Sequence, residues 1–594
     1  MTDGPPPSSS SQMDKSSSPI PSINDAVTTT TSPSAAVPRQ ADEADNTSLA
    51  ASIGNQRMLM PKSTLLIAIP ALSVALFVSF IDQTGVSTSI PAVSAELDTG
   101  SATSWIGASF LIASTAFQLI NGRLSDIFGR KNCLLLCLAL IALGDVLSGF
   151  ARTKEQLFAF RAVAGVGGGG INSIVMIIVS DITTLENRGK YQGILGAVIA
   201  LANGTGPFLG GALVEKLSWR WIFWLIPMLA VPAAIAILFF LPVKHERGNY
   251  VAKVKMIDYG GIALNLAAVL LILIPLSGGG DIYAWSSGQF IGMFTAGAVL
   301  AIAFVLYEWK LAPVPIMPLR LFQAPHCPYM YGQSLMMGIG FYGNFFYMPI
   351  YFQSVLGYSA LESGALILPL IISTSACSIG SGQFMSRVGR YMPCVAVGFG
   401  LWTLGTGLKC MFGQTTPLWV VIVVLIVEGL GVGLTLQPTL VGLLANSRSE
   451  DRAVCTGLRN FIRTIGGAFG LIISGAILSN TLSSQLSGLP FISQVTISGL
   501  TSSTYGLDKL GLSAQEKDLV LAVYMKGLHY IFIFYAACVG SAFVMCAGVG
   551  NTSLKAKKQQ DKPPAEETSQ VRSESDASVG DDEKDKREGA KAEV

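Results

Sequence analysis

Long apolar runs separated by short polar connections make up the middle of the chain. Each run has about 18 to 25 residues, which is enough to cross roughly 30 Å of hydrocarbon as an α-helix. There are about fourteen such runs, and they centre near Ala75, Ile112, Ala139, Ile171, Ala200, Pro232, Ala268, Ala298, Tyr342, Ile371, Gly400, Ile426, Leu471 and Phe534. The pattern therefore predicts an all-α integral membrane protein.

The two ends of the chain have a different composition from the middle. Residues 1–62 are rich in Ser, Pro and Thr, and residues 551–594 are rich in Lys, Glu, Asp and Ser. Neither segment carries enough apolar surface to form a packed core. Both are therefore predicted to be disordered tails.

Composition and charge narrow the class of protein. With 51% hydrophobic and 13% charged residues, the chain is too apolar for a large soluble protein. A net charge of +2, without a basic stretch interleaved with aromatic residues, gives no reason to expect a nucleic-acid partner. Lys and Arg concentrate in the short connections after even-numbered runs, so the positive-inside rule places both termini in the cytosol. Residues 481–521 are then an extracytosolic loop.

A ten-residue motif occurs twice. GRLSDIFGRK spans Gly122 to Lys131 and GQFMSRVGRY spans Gly382 to Tyr391, with two glycines and one arginine aligned. The repeat predicts two bundles of six helices, and duplicated halves with a site between them are a design of secondary transporters. The predicted parts are 63–243 for the first bundle, 244–326 for an inserted pair of helices and 327–550 for the second bundle.

The first copy of this motif resembles the loop motif between the second and third helices of the major facilitator superfamily. The matching residues are Gly122, Asp126, Gly129, Arg130 and Lys131. The resemblance implies the major facilitator fold of two six-helix bundles, here with two inserted helices. It also implies a monomer in the lipid bilayer whose partners are a small-molecule substrate and protons.

Other segments resemble motifs of the fourteen-span drug:proton antiporters of that superfamily. The composition of the tails and the WRWIFW and GGGDIYAWSS segments are similar to those of fungal members. IDQTGVSTSIPAV is similar to their first-span motif through Asp82, Thr84 and Pro91, and RAVAGVGGGG to their fourth-span motif through Arg161. The fifth run resembles their antiporter motif, with Ala202 where the family usually has glycine, through Gly206, Pro207, Gly210 and Gly211. The resemblance implies export driven by the proton gradient, without a cofactor.

The charges of the first motif are predicted to form a conformational latch at the cytosolic mouth. Asp126 lies close in sequence to Arg130 and Lys131, and Gly122 and Gly129 permit a tight turn between two helix ends. Such ion pairs form in one conformational state and break in the other. The alternative interpretation is an ordinary positively charged cytosolic loop.

Asp181 and Arg188 follow the fourth run and resemble a second latch pair. The alternative for Asp181 is a helix cap.

Ionisable residues inside a span are costly, so each is a hypothesis for a functional site. Asp82, Asp145 and Arg161 all fall in the half of their spans away from the cytosol, where they can meet, and Glu428 lies near the middle of the twelfth run. Asp82, Arg161 and Glu428 are predicted to couple transport to protons. A purely structural pairing is the alternative for each, and Asp145 is either functional or a partner of Arg161.

Substrate contacts are predicted on two spans. The ninth run, GFYGNFFYMPIYFQ, contains Asn344 and Phe345 within an aromatic stripe, and Gln437 is a polar position in the twelfth run. Aromatic side chains suit a large apolar substrate, although helix packing explains the same stripe. Arg459 and Arg463, near the start of the thirteenth run, are interpreted as anchors that snorkel to the membrane surface.

The sequence thus predicts a proton-coupled antiporter of the plasma membrane that exports small hydrophobic or amphipathic compounds, such as drugs, toxins or secondary metabolites. The alternatives are a vacuolar proton-coupled transporter of basic amino acids and a transporter-like sensor. No phosphate-binding loop is present, and the three histidines are too scattered for a metal site. The chain is therefore not expected to be an enzyme.

Overall fold

Hydrocarbon offers no hydrogen-bonding partner, so an apolar run that crosses a bilayer satisfies its backbone groups as a helix. A computed structural model describes the chain over residues 62–99, 105–241, 257–279, 283–312, 315–448, 451–486 and 513–554. These ranges hold fourteen helices of at least 17 residues and no β-strand, which confirms the all-α prediction for this part of the chain. The helices are α1 Lys62–Gly85, α2 Trp105–Phe128, α3 Arg130–Gly149, α4 Lys154–Ile182, α5 Leu185–Lys216, α6 Arg220–Phe240, α7 Tyr259–Ser277, α8 Gly288–Lys310, α9 Cys327–Ile350, α10 Ala360–Val388, α11 Met392–Leu408, α12 Leu418–Asn446, α13 Arg452–Leu486 and α14 Ala514–Met545.

Twelve of these helices are long and apolar enough to cross a membrane by length and composition. The other two, α2 and α9, have 24 residues each, but polar residues such as Gln118 and Asn121 on α2 and Gln333 on α9 lower their hydropathy. The count of fourteen spans therefore stays a prediction.

The predicted boundaries of the two bundles and of the inserted pair fall close to helix ends, but those of the predicted loop do not. Helix α13 continues to Leu486 and α14 begins at Ala514, so both enter the range predicted as a loop, 481–521. Sequence reasoning missed the capping box in which Ser513 and Glu516 satisfy each other's backbone N–H groups at the start of α14. Residues 487–512 and the predicted tails lie outside the described residues, apart from Lys62 and 551–554.

Most helices of α1 to α6 pack against others of that group, and most of α9 to α14 do the same, whereas α5 and α10 pack most extensively against each other across the boundary. Helices α7 and α8 pack as a pair beside them, and α7 contacts α2 and α13. The Nδ2 of Asn265 on α7 donates to the carbonyl oxygen of Ala116 on α2 at 3.0 Å, while α8 exposes large apolar side chains such as Ile291, Val299 and Ile302. The pair thus attaches to the two bundles through one helix.

The repeated motif is visible in the backbone. Gly129 and Gly389, which align in the two copies, have φ angles of +91° and +75°, a region that favours glycine. The other aligned glycines contact the opposite bundle: an ideal Cβ at Gly122 would lie 3.5 Å from the carbonyl oxygen of Ala453, and one at Gly382 would lie 2.4 Å from that of Gly189. We call the end of the helices that carries Gly122–Lys131 the latch end, and the opposite end the far end.

Small residues let α5 and α10 of opposite bundles approach closely, as membrane helices do without a hydrophobic driving force. Ser378 Oγ donates to the carbonyl oxygen of Gly193 at 3.0 Å, and Ser375 Oγ donates to that of Ala197 at 3.2 Å. With the Gly189 and Gly382 contact, these bonds hold the two bundles together at the latch end.

Replacing Gly382 with leucine is expected to lower the stability of the protein by about 1–3 kcal/mol, because the side chain overpacks the contact with Gly189. The measurement is the thermal unfolding midpoint of the purified chain in detergent. Gly380→Leu is the matched control on the same helix, because an ideal Cβ there meets nothing within 4 Å. Equal midpoints for the two variants would contradict the close packing of the bundles.

Candidate functional site

Three buried charges meet in the far half of the first bundle. Arg161 on α4 lies with one Nη atom 2.5 Å from Asp82 Oδ1 on α1 and 3.3 Å from Asp145 Oδ1 on α3. The guanidinium also lies over the rings of Phe110 and Phe223, at 4.6 Å and 5.5 Å from their centroids. The structure thus brings together the three residues that the sequence placed at one depth.

The charges of this cluster do not balance. One guanidinium faces two carboxylates, and the second carboxylate oxygen of Asp82 and of Asp145 has no hydrogen-bond partner among the described residues. A buried cluster with an excess carboxylate is the kind of site whose protonation can change with conformation. The role of Asp82 and Arg161 in proton coupling stays a prediction, and Asp145 is now placed beside them.

The predicted latch residues form one network at the latch end. Arg130 lies 2.5 Å from Asp126 Oδ1 through Nη1 and 3.0 Å from Asp181 Oδ2 through Nε, and it donates to Ser125 Oγ at 2.8 Å. Arg123 lies 3.6 Å from Asp126. The network therefore ties the end of α2 to the end of α4 through the first residue of α3.

The remaining latch residues bond to helix ends. Arg188 is fully buried and donates to the carbonyl oxygen of Ser180 at 2.6 Å, whereas Lys131 donates to two carbonyl oxygens at the end of α6, each at 2.7 Å. The cap of α5 is Thr184, whose side chain accepts from the N–H of Asn187, so Asp181 is not that cap. Its observed partner is Arg130.

The residues of the antiporter motif on α5 lie against the far end of α1. An ideal Cβ at Gly206 would lie 2.1 Å from Thr84 Oγ1, and one at Gly210 would lie 2.3 Å from the carbonyl oxygen of Gly85. These two glycines are therefore needed for close packing. Gly211 differs, because a Cβ there meets nothing within 4 Å, and Pro207 lies inside the helix.

The second bundle holds its own buried ion pair. Lys409, just after α11, pairs with Glu428 on α12 and also donates to Asn344 Oδ1 on α9. Lys409 is 2% exposed and Glu428 is fully buried. The sequence singled out Glu428 and Asn344 but missed Lys409, whose position in an otherwise apolar segment was the available signal. The coupling role of Glu428 and the substrate role of Asn344 stay predictions.

The interpretation of Arg459 and Arg463 as snorkelling anchors is wrong. Both side chains are 3% exposed. Helix α13 begins at Arg452, so Arg459 and Arg463 lie two and three turns along it from the latch end. Arg459 donates to the carbonyl oxygen of Leu436 on α12 at 2.5 Å, and to Asn460 Oδ1 at 3.3 Å. Both arginines therefore lie at membrane depth.

The predicted substrate residue Gln437 lies at the boundary between the bundles. Its side chain is 2% exposed and reaches α5, since an ideal Cβ at Gly196 would lie 2.7 Å from its Cγ. Phe345 is half-buried and packs against Phe341 with ring centroids 5.0 Å apart. Helix packing thus accounts for part of the aromatic stripe, and the substrate role of Phe345 and Gln437 stays a prediction.

Two helical bundles that carry buried charges and meet along small-residue faces define a membrane transporter. The sequence model of the Major Facilitator Superfamily matches residues 72–471. The chain belongs to this superfamily.

Relatives cover most of the chain. Citrate exporter 1 of Yarrowia lipolytica is 38% identical over 506 residues, 85% of this chain and 75% of that protein. Efflux pump dotC of Dothistroma septosporum is 32% identical over 499 residues, 83% of this chain and 86% of that protein. The solved structure of the proton:xylose symporter XylE superposes with a TM-score of 0.54 at 13% identity, over 84% of this chain and 98% of that one, which supports the fold alone.

Replacing Lys409 with methionine is expected to destabilise the protein by about 3–5 kcal/mol, because it leaves the buried Glu428 carboxylate unpaired. Adding Glu428→Met is expected to recover most of the loss, since two apolar side chains then replace both charges. The thermal unfolding midpoints of the single and double variants provide the measurement. A double variant that is less stable than Lys409→Met would contradict the prediction that Lys409 and Glu428 compensate each other's buried charge.

Proposed function

We propose that this protein is a proton-coupled antiporter that exports small amphipathic organic compounds by alternating access. The observation that carries the proposal is the buried cluster of Asp82, Asp145 and Arg161, in which two carboxylates share one guanidinium. A cluster of this kind binds a proton in one conformation and releases it in another when its exposure changes. In this proposal the proton gradient drives transport, and no cofactor is needed.

The relatives support the direction of transport. One is named a citrate exporter and another an efflux pump. The concentration of Lys and Arg in connections at the latch end supports a cytosolic latch end and cytosolic termini. In this proposal the protein works as a monomer in the plasma membrane.

The transport cycle starts from the conformation that the structure has, with the bundles in contact at the latch end. Protons enter from the far end and neutralise a carboxylate beside Arg161. The latch around Asp126 and Arg130 then breaks, and the bundles rock so that a cavity opens toward the cytosol. There the carboxylate releases its proton to the cytosol and substrate binds, and the return movement releases the substrate at the far end.

A vacuolar transporter of basic amino acids has less support. Two buried arginines, Arg459 and Arg463, lie on the helix that contacts the opposite bundle, and they disfavour a cationic substrate nearby. The sensor alternative predicts binding without accumulation, which the transport experiment below separates.

The variant Asp82→Asn is expected to abolish gradient-driven accumulation, because it removes a carboxylate from the cluster with Arg161. The measurement is uptake of Nile red, an uncharged amphipathic dye, and of lipophilic organic acids by inside-out membrane vesicles with an imposed pH gradient. Asp518→Asn, the same change at an exposed position at the start of α14, is the matched control and is expected to transport normally. Normal uptake by Asp82→Asn, at equal protein amount, would remove Asp82 from the coupling role.

A cross-link at the latch end is expected to stop transport reversibly. An ideal Cβ at Gly189 lies 2.9 Å from Met385 Cβ, so a cysteine at each position forms a disulfide after a small backbone shift. The pair Gly189→Cys and Met385→Cys is introduced into a chain whose nine native cysteines are replaced. Oxidation should block uptake and reduction should restore it, whereas Met385→Cys alone should respond to neither. Unchanged uptake by the fully cross-linked chain would argue against opening at this end.

A further inference from the structure

Polar side chains from three helices lie at one depth where the two bundles meet. Gln118 on α2, Gln437 on α12 and Arg463 on α13 each lie nine to eleven residues inside the latch-end terminus of their helix. At 1.5 Å per residue this places all three about 15 Å from that end, near the middle of a bilayer. All are at most 3% exposed.

This layer connects the bundles directly. Thr464 Oγ1 on α13 donates to Gln118 Oε1 on α2 at 3.1 Å, and Gln437 reaches Gly196 on α5. The layer therefore lies on the surface along which the bundles move in the proposed cycle.

Arg463 lies on the part of α13 between its two packing faces. On one face Gly457 approaches the backbone of α2, and on another Gly466 and Gly470 approach the backbone of α9. At 100° per residue, Arg463 falls on the arc between these faces. Arg463 is at the α9 side of this arc, Asn460 and Thr464 follow toward Gly457, and Thr464 bonds to Gln118 of the first bundle. The ring of Tyr342 covers the next turn of the helix at Gly467.

Among the described residues, the positive charges of Arg459 and Arg463 lack a negative partner. Neither Arg459 nor Arg463 forms an ion pair with any residue that the structure describes, and the side chain of Arg463 makes no hydrogen bond to one. Three buried donors, Nε of Arg459, Nε of Arg463 and Nδ2 of Asn460, have no acceptor among the described residues. Guanidinium groups at membrane depth are costly unless an anion or a carbonyl oxygen compensates them.

We infer that this layer binds the carboxylate group of the transported compound, with Arg463 as its main contact and Asn460 as a second donor. The inference rests on the proposed export function and names its substrate class, organic acids. A carboxylate matches the planar fork of a guanidinium. The Nη groups of Arg459 already bond to Leu436 and Asn460, so Arg463 is the arginine available to a ligand. One available guanidinium suits a single carboxylate. The adjacent ring of Tyr342 contacts the apolar body of the acid.

The first experiment measures binding to the full-length chain in lipid nanodiscs by isothermal titration. The probes are naphthoate and citrate, each with its methyl ester as the uncharged analogue and inorganic phosphate as a competing anion. The acids are expected to bind and the esters and phosphate are not. Arg463→Gln is expected to weaken the binding of naphthoate about tenfold or more, whereas Arg463→Lys retains part of it. Arg220→Gln, at the far end of the first bundle, is the matched control and leaves binding unchanged.

A second variant tests the site if Arg463→Gln does not fold. Asn460→Asp is isosteric and places a carboxylate 3.3 Å from Arg459 and one turn from Arg463. It is expected to raise the thermal midpoint of the ligand-free protein and to weaken naphthoate binding about tenfold, because an internal carboxylate then occupies the site. Unchanged midpoint and affinity in this variant would overturn the inference.

Other outcomes separate this inference from the proposed function. Equal naphthoate affinity for the wild type and Arg463→Gln, tighter binding of phosphate than of either acid, or no binding of either acid would overturn the carboxylate site. Gradient-driven uptake of Nile red by a protein that binds neither acid would overturn the site and leave the export function intact. Arginine-dependent acid binding without gradient-driven uptake of any probe would support the site and overturn the export function.

Discussion

The cost of burying charge in hydrocarbon is the constraint on which the arrangement of this protein depends. Each bundle offsets this cost with an ion pair in its far half. Asp82 pairs with Arg161 in the first bundle, and Glu428 pairs with Lys409 in the second. The net charges of these pairs differ, since Arg161 faces a second carboxylate, whereas the additional partner of Lys409 among the described residues is the neutral amide of Asn344. The first bundle is therefore the one whose charge can change by a single proton without leaving a buried cation unpaired.

The two copies of the repeated motif share their backbone geometry but differ in charge. The positive φ angles at Gly129 and Gly389 are common to both, and so are the close contacts with the opposite bundle. Asp126, however, aligns with Ser386, so the second copy lacks the acid around which the latch forms. The two copies thus share a backbone geometry, while the described network around Asp126 belongs to the first copy.

Sequence reasoning predicted what depends on local pattern. Helix positions follow from apolar runs, and the buried acids Asp82 and Glu428 stand out because charge is rare there. The common depth of Asp82 and Arg161 predicted that they can meet although they lie 79 residues apart. The partner of Glu428 was missed, because Lys409 lies at the end of a helix, where lysine usually reaches water, and packing sets its direction. The snorkelling interpretation of Arg463 failed for the same reason, since it depends on where α13 begins.

Helix α5 contacts both the second bundle and the helix that carries Asp82. Near the latch end it packs against α10 of the other bundle through Gly189 and Gly193, and near the far end Gly206 packs against Thr84 on α1. Asp82 lies two residues before Thr84, about half a turn along the same helix. In the proposed cycle, a movement of α5 against the second bundle would shift α1 as well, because no side chain at these glycines absorbs the displacement. Gly206 and Gly210 are the motif glycines in this contact, because they lie against Thr84 and Gly85 on the helix that carries Asp82, whereas a Cβ at Gly211 meets nothing within 4 Å.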